Sequence, residues 1–172
     1  MATSKPRKPA AKPAREPRPS AVVAVTELSK DDRAWWKDGI QFECQGSGKC
    51  CVSHGEYGFV YMTTADRTAM AKHLGLSLAA FTKKYCDEND GFFHLKESGN
   101  PSCMFLKNKQ CSVYEARPVQ CRTWPFWPEV MNAKVWKAEV ASFCPGVGKG
   151  RIWSADEINI LLDEQTKSEN QS

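Results

Sequence analysis

The pattern of polar and apolar positions between residues 63 and 85 predicts two short helices in succession. The first follows Thr63-x-x-Asp66, which has the spacing of a capping box, and runs to about His73. The second begins after Ser77, a good N-cap, and keeps apolar and aromatic residues on one face as far as Tyr85. A glycine separates the two segments, so we expect a pair of helices.

Shorter patterns lie on either side of this pair. Residues 56–62 and 92–96 are aromatic and β-branched enough to predict short strands. A segment near Trp136 is expected to be helical, and Ser154-x-x-Glu157 opens a final helix through Leu162. Because the elements are few and short, we expect a small, irregular, mainly helical α+β domain, with its Cys-rich loops on one side of the helix pair.

The first twenty residues differ in composition from the rest of the chain. They space five Pro through Lys, Arg and Ala, which leaves no apolar face to bury and predicts a disordered basic tail over residues 1–20. The folded, Cys-bearing domain is expected over residues 21–165, with the core of its motif at about 40–150. A disordered C-terminus is expected at 166–172.

Net charge sharpens this division. The chain carries +4, whereas the tail alone carries +5 from six Lys or Arg and one Glu, so the remainder stands at −1. The folded part therefore lacks the basic face with which proteins neutralise nucleic-acid phosphates. The tail has no apolar region of a secretory signal, and the apolar run at 21–25 is too short to span a bilayer. These features argue against nucleic acid and membrane as partners and favour the cytoplasm of a bacterium.

The candidate chemistry lies in eight Cys residues, at positions 44, 50, 51, 86, 103, 111, 121 and 144. In a reducing compartment their thiols stay free, and thiolates are the soft ligands that select zinc, copper(I) or iron-sulfur clusters. A metal would also stabilise a domain whose loops are rich in Gly and Pro. The pattern predicts a metal-binding protein.

The loop from Cys44 to Cys51 is the first ligand-bearing segment. Its glycines permit positive φ, so the loop can fold around an ion. Cys50 and Cys51 are adjacent, and in an extended backbone their side chains would point to opposite sides. Both therefore share one site only if the loop is bent; otherwise they serve two ions or a polynuclear cluster.

A second group consists of Cys103, Cys111 and Cys121, and Cys144 follows in a Cys-Pro-Gly turn. Pro118 limits helix before it and positions the turn that presents Cys121. Together with the first loop these residues provide seven candidate metal ligands: Cys44, Cys50, Cys51, Cys103, Cys111, Cys121 and Cys144.

Arg117 and Arg122 flank Cys121 and are predicted to donate to thiolate sulfur as second-layer residues around the cofactor. The alternative is solvation or a carboxylate pair, which is as plausible for Arg117 but less so for Arg122. The aromatic residues between Trp124 and Trp127 either cover the site or belong to the ordinary core.

Cys86 and the histidines are left outside the predicted site. Cys86 ends a helical pattern with no Gly or Pro beside it and is expected to be a small buried hydrophobe. His54 is the best-placed histidine, three residues after Cys51, but no histidine has paired spacing with another.

Taken in order, these motifs resemble the YkgJ family of cysteine-cluster proteins, a family described as zinc- or iron-chelating. The resemblance covers about residues 40–150: Cys44 with residues 46–51, then Cys103-Met-Phe-Leu, the run from Cys111 to Phe126, and Cys144-Pro-Gly. It implies that the seven candidate thiols are the cluster residues. It implies no reaction, because related domains occur alone and within larger proteins, flagellin lysine methylases included. The five residues between Cys44 and Cys50 are a departure from the family's first motif.

Three functions fit this chain. The favoured one is a metal-binding module that chelates zinc or an iron-sulfur cluster of unknown type without catalysis of its own. The second is a redox or protein-modifying enzyme of the methylase-associated type, whose cluster supplies electrons or activates a substrate. The third is metal storage or delivery, because the chain has more thiols than one tetrahedral ion uses.

Overall fold

The computed structural model describes residues 35–52, 59–97 and 102–171. The predicted basic tail at 1–20, the first part of the predicted strand at 56–62, and His54 lie outside these residues. No helix within the described ranges combines the length and the apolar composition that a membrane span needs.

The described chain forms short helices and short antiparallel strands, so the predicted small α+β fold is confirmed. The helices are α1 (Thr64–His73), α2 (Leu78–Tyr85), α3 (Val119–Thr123), α4 (Ala133–Val135) and α5 (Ala155–Glu169). A π-helix, Trp136–Ala141, continues α4, and 3-10 turns occupy Lys49–Cys51, Tyr114–Ala116 and Pro128–Val130. The strands are β1 (Ile40–Phe42), β2 (Cys86–Asn89), β3 (Phe92–Leu95), β4 (Leu106–Lys107), β5 (Gln110–Cys111) and β6 (Val147–Trp153).

Capping side chains set the starts of the three longer helices, as predicted. Thr63 accepts from the backbone N–H of Asp66 while the Asp66 carboxylate accepts from Thr63, which completes the capping box of α1. Ser77 caps α2, and Ser154 forms a second capping box with Glu157 at α5. The helix expected near Trp136 is also present.

Two boundaries differ from the sequence prediction. Residues 59–62 contribute one isolated bridge, Tyr61 to His94, where a strand over 56–62 was expected. At the other end, α5 continues to Glu169 and buries Ser168, so the helix passes the expected domain boundary at 165. Four residues assigned to a disordered C-terminus are helical because the packing of α5 extends that far.

Within the described ranges, the strands form three separate two-stranded sheets. β1 pairs with β6 in antiparallel register, with Ile40 opposite Trp153, and this pairing joins residues more than 100 positions apart. β2 and β3 form a hairpin, and β4 and β5 form a second, smaller one.

Side chains are buried in two apolar clusters. The first core is formed by β1, α5 and the aromatic segment around the π-helix: Trp36, Ile40, Phe42, Phe126, Trp127, Val130, Met131, Trp136, Val140, Ile158 and Leu162. The second core lies under α1 and α2: Met62, Met70, Ala71, Phe81, Cys86, Leu95, Phe105 and Val113.

Helix α3 lies between the two cores and is bonded to both. Its first N–H, at Val119, donates to Asp66 of α1 at 3.0 Å. The Gln120 amide accepts from the backbone N–H of Tyr61 at 2.8 Å and donates to the carbonyl of Phe59. On the other side, the Thr123 hydroxyl donates to Gln165 of α5 at 2.7 Å. We call α3 the seam helix, because its polar side chains join the cores.

Candidate metal centre

The loop that carries Cys44, Cys50 and Cys51 is bent at Gly48. Gly48 has φ +70°, and a Cβ at this position would lie 2.9 Å from the carbonyl oxygen of Lys109 in the β4–β5 turn. A glycine is therefore required both by the left-handed backbone and by the close approach of the hairpin. The bend leads directly into the 3-10 turn of Lys49–Cys51.

This turn places the two adjacent thiols on the same side of the backbone. The Sγ atoms of Cys50 and Cys51 are 4.0 Å apart. Two thiolates on one tetrahedral zinc, with Zn–S near 2.3 Å, are separated by about 3.8 Å. The spacing of the pair thus suits one shared ion, and the loop is bent as that arrangement requires.

The segment bearing Cys103 and Cys111 is fastened to this loop by backbone hydrogen bonds. The N–H of Cys103 donates to the carbonyl of Cys51 at 2.7 Å, and Val52 forms a bridge with Ser102. Cys111 ends β5, opposite Leu106 in the hairpin. Both thiols are partly buried and pack on the second core.

Cys121 lies in the seam helix, which starts after Pro118. Cys144 lies in the turn after the π-helix and packs on the first core. Lys49 joins this turn to the Cys44–Cys51 loop, because its ammonium donates to the carbonyl of Phe143 at 3.2 Å. Cys44 and Cys144 line one small cavity of about 50 Å³ together with Cys50 and Cys121.

Five of the thiols are close enough to interact electrostatically: Cys50, Cys51, Cys103, Cys111 and Cys121. We call these five the thiol group. Burial raises the pKa of Cys121 and of Cys103, and repulsion from the other thiols of the group adds to both shifts.

The adjacent thiols of Cys50 and Cys51, which we call the vicinal pair, have pKa values shifted in opposite directions. The hydrogen bond with Cys51 lowers the pKa of Cys50 to about 7, and the nearby Arg117 acts in the same direction. The same hydrogen bond raises the pKa of Cys51, together with burial and the neighbouring thiols. The pair therefore gives up one proton near neutral pH and retains the other, so the thiol group begins to ionise without metal.

A soft metal fits this donor set by its chemistry. The thiol group offers only sulfur ligands, which soft metals prefer. The sulfurs of Cys50 and Cys51 are 4.0 Å apart, close to the separation of two thiolates on one zinc. Among the described residues, no three Cys, His, Asp or Glu side chains are arranged as a complete metal site. Metal binding therefore requires thiols of the group to rotate toward the vicinal pair, at the cost of desolvating and deprotonating them.

The two arginines predicted to support the thiols have different partners. Arg117 stacks on the ring of Tyr114 at 3.4 Å, and its charge favours the thiolate form of Cys50. Arg122 instead pairs with Glu164 of α5 at 2.9 Å. The carboxylate alternative, which the sequence favoured less for Arg122 than for Arg117, is the one that Arg122 adopts.

The aromatic segment after α3 divides between core and site. Phe126 and Trp127 are buried in the first core, and the Trp127 indole N–H donates to the carbonyl of Gln120. Trp124 lines the small thiol cavity and also a larger cavity beside it. Cys86 lies elsewhere, buried in the second core.

Arg151 borders the larger cavity but was not singled out from the sequence, although a signal existed. Arg151 and Trp153 are two residues apart in β6 and therefore point to the same face of the strand. The sequence did not predict that β1 pairs with β6, so it did not show which part of the molecule this face of the strand borders.

Thiols from separate segments that lie near one another are typical of one class of protein, in which a soft metal is held through Cys side chains. The chain belongs to the CxxCxxCC family, described as "Putative zinc- or iron-chelating domain", whose model matches residues 43–145. The resemblance seen in the sequence is thereby confirmed, and metal chelation in this general sense applies to the protein.

A curated relative shares part of the chain. An uncharacterised protein of Methanocaldococcus jannaschii is 32% identical over 101 residues, which cover 57% of this chain and 52% of that protein. The chain thus spans about half the length of this relative. No solved structure is significantly similar to the chain.

The family name also corrects the interpretation of the first motif. Cys-x-x-Cys-x-x-Cys-Cys maps onto residues 44–51, with Ser47 at the second Cys position. The five-residue spacing between Cys44 and Cys50 therefore agrees with the family pattern, and the departure is the loss of one thiol. A site with four thiolates in this chain needs a ligand from another segment, and Cys103 and Cys121 both interact with Cys51.

Proposed function

We propose that the chain is a metal-chelating module that holds zinc or an iron-sulfur cluster on the thiol group. Cys50 and Cys51 form the centre of the site, and Cys103 and Cys121 replace the ligand that Ser47 cannot supply. Cys111, Cys44 and Cys144 are additional ligands. The observation that supports this assignment most strongly is geometric: the sulfurs of Cys50 and Cys51 lie 4.0 Å apart, and the Cys103 N–H donates to the Cys51 carbonyl at 2.7 Å.

The number of thiols bears on the type of metal. One tetrahedral zinc uses four ligands, whereas seven candidate thiols are gathered in and beside the thiol group. A polynuclear iron-sulfur cluster or two ions uses this set more fully. We place the protein in the cytoplasm, where thiols remain reduced.

A catalytic role for the metal is the second candidate, and one feature favours it. A cavity of about 360 Å³ opens beside the thiol group and is lined by Cys44, Arg117 and Arg122, among others. A ligand in that cavity would lie next to the metal site, as a redox or protein-modifying enzyme requires. Storage or delivery of metal, the third candidate, needs no such cavity.

The direct test is anaerobic purification followed by metal and sulfide analysis and an absorption spectrum. Iron, sulfide and a broad band near ~400 nm would identify a cluster, whereas colourless protein with stoichiometric zinc would identify a zinc site. Zinc without iron would remove the redox form of the second candidate.

Substitutions then test the ligand assignment. Cys51→Ser and Cys121→Ser should lose most of the bound metal, while Cys86→Ala, which removes the thiol buried in the second core, should keep it. The reverse substitution, Ser47→Cys, restores the family pattern and should increase metal affinity. Unchanged metal content in a Cys50→Ser/Cys51→Ser double variant would show that the thiol group is not the site.

A further inference from the structure

The larger cavity beside the thiol group has the composition of a small-molecule site. Its volume of about 360 Å³ is near the lower end for ligand pockets, which run from about 300 to 1,000 Å³. Phe42, Trp124, Phe126 and Trp153 contribute flat apolar walls. A concave, largely aromatic lining with a few polar groups is what holds a small flat molecule.

The charged residues of the lining are mostly cations. Arg117, Arg122 and Arg151 border the cavity, and Glu43 is the only carboxylate among the lining residues. Arg122 is held by Glu164 at 2.9 Å and Arg151 by Glu157 at 2.7 Å, so both guanidinium groups are positioned by α5. Because these two are paired with carboxylates, Arg117 is the lining guanidinium that has no ion pair among the described residues, and its charge favours an anion there.

Two of these guanidinium groups are stacked on rings of the cavity wall. Arg117 lies over Tyr114 at 3.4 Å and Arg151 over Trp153 at 3.7 Å, measured to the ring centroids. Stacking occupies the face of a guanidinium and leaves its edge N–H groups available for a planar acceptor. The Arg117 edge donates only through Nε, to the carbonyl of Tyr114, within the described part of the chain.

A buried donor in the wall also lacks an acceptor. The indole N–H of Trp124 is enclosed and makes no hydrogen bond with the described residues. Because this nitrogen is closed off from solvent, Trp124 contributes its ring, and not its N–H, to the cavity wall. Trp124 borders both the larger cavity and the small thiol cavity.

We infer that the larger cavity binds a small organic anion, a carboxylate or phosphate ester with one flat ring. The anionic group is held by Arg117 and Arg151, and the ring lies against the aromatic wall that Trp124 helps to form. The site does not depend on the metal, because none of these contacts involves a thiol. It places the ligand next to Cys44, which also lines the small cavity that contains Cys50 and Cys121.

The test uses the full chain, as purified with its metal, and isothermal titration with four probes. Phenyl phosphate and benzoate should both bind saturably, and the tighter of the two distinguishes a phosphate ester from a carboxylate site. Benzyl alcohol lacks the charge and inorganic phosphate lacks the ring, so each should bind at least roughly tenfold more weakly. Failure of both aromatic anions to bind, or equal binding of inorganic phosphate, would overturn the assignment.

Variants connect binding to the named residues. Arg151→Gln should weaken binding of the better anion by roughly tenfold or more, and Arg151→Lys, which keeps the charge but not the fork, should weaken it less. Lys72→Gln removes an exposed cation of α1 and should have no effect. If Arg151→Gln and Arg117→Gln both bind as tightly as the parent chain, the site is elsewhere.

Metal analysis of the same samples separates this inference from the proposed function. Arg151→Gln should retain its full metal content while losing anion affinity. Cys121→Ser should lose metal, and its anion affinity should persist in the folded protein. The circular dichroism spectrum of each variant verifies that it is folded before titration.

Discussion

The two cores of this molecule differ in how the chain builds them. The first core contains or contacts all six tryptophans and joins β1, near residue 40, to β6 and α5 at the other end of the described chain. The second core has no tryptophan and is built from residues 62–113, largely from consecutive elements. One core therefore depends on distant pairing and the other on local structure.

The comparison shows which contacts hold the first core and the second core together. The seam helix links the two cores through polar groups. Val119 and Gln120 form hydrogen bonds with residues beside the second core, and Thr123 forms one with α5 beside the first core. The candidate metal ligands have the same distribution, with Cys103 and Cys111 on the second core and Cys144 on the first. A metal on these thiols would bind the cores together.

The largest expected effect comes from opening a cavity in each core. Phe126→Ala in the first core and Phe81→Ala in the second remove side chains that are 1% and 0% exposed. Each should lower the free energy of unfolding by about 3–5 kcal/mol. Tryptophan fluorescence, which reports the first core, should detect both losses in the metal-loaded protein if the cores unfold as one.

The variants Phe126→Ala and Phe81→Ala also test whether the two cores unfold separately when metal is removed. Without metal, fluorescence and far-ultraviolet circular dichroism of Phe81→Ala should give different midpoints, because the second core then unfolds first. Coincident midpoints would mean that the seam helix alone couples the cores.

Metal removal is the second test. A ligand that binds only the folded state at 100 times its dissociation constant adds about 2.7 kcal/mol to the free energy of unfolding. Adding a strong chelator should therefore lower the thermal midpoint of the parent chain. Cys121→Ser, which lacks a proposed ligand, should be insensitive to the chelator, and Cys86→Ala should respond like the parent.

Gln120→Leu tests the polar link at the seam. The substitution leaves the N–H of Tyr61 and the carbonyl of Phe59 without their partner, which should cost about 1–3 kcal/mol. Gln41→Leu is the matched control, because Gln41 makes a similar amide-to-carbonyl hydrogen bond on an exposed strand. Its cost, from the same denaturant titration, should stay within about 0.5 kcal/mol.

The pH dependence of stability in the metal-free protein should reveal the thiols whose pKa is raised. Cys51, Cys103 and Cys121 have pKa values raised above the ordinary 9.0 by burial or by hydrogen bonding and by one another. Above about pH 9 the unfolded chain loses protons that the folded chain retains, so stability should fall by up to about 1.4 kcal/mol per pH unit for each such thiol.

Cys50 has the opposite effect on the free energy of unfolding, and this effect occurs at lower pH. Its pKa, lowered to about 7, adds stability as pH rises from there toward 9. Denaturant midpoints measured from pH 7 to 10 should therefore pass through a maximum. Cys121→Ser should flatten the decline on the alkaline side; an unchanged decline would mean that the pKa of this thiol is not raised.

The smallest effects on stability are expected from the helix caps of α1 and α5. Ser154→Ala removes an exposed cap of α5 and should cost about 1 kcal/mol, whereas Thr63→Ala, whose cap is buried, should cost up to about 2 kcal/mol. Thermal midpoints of the two variants measure the difference. Equal losses would mean that burial of the Thr63 cap adds nothing to its contribution.

Local signals explain which parts of the fold could be predicted. The caps Thr63, Ser77 and Ser154 predicted three helix starts because each cap depends only on the following turn. The pairing of β1 with β6 had no such signal, since a three-residue strand carries little pattern and its partner is more than 100 positions away. The seam helix was also missed, because five residues after a proline give too short a period to detect.

The site was predicted in its chemistry more fully than in its arrangement. Seven ligand candidates follow from residue type and spacing, and five of these form the thiol group. The partner of Arg122 could not be foreseen, because Glu164 reaches it only through the packing of α5 on α3. The role of Ser47 became visible only beside the family pattern.

The pairing of the first and last strands has a consequence for the order in which the chain is assembled. A protein emerges from the ribosome from its N-terminus, and local elements form before distant ones can pair. Cys44, Cys50 and Cys51 are therefore synthesised long before Cys144 and β6 are available. Before then, ions can be held only by an incomplete set of the seven candidate thiols, so a metal that also uses Cys144 would be bound only after the chain has been made past residue 144.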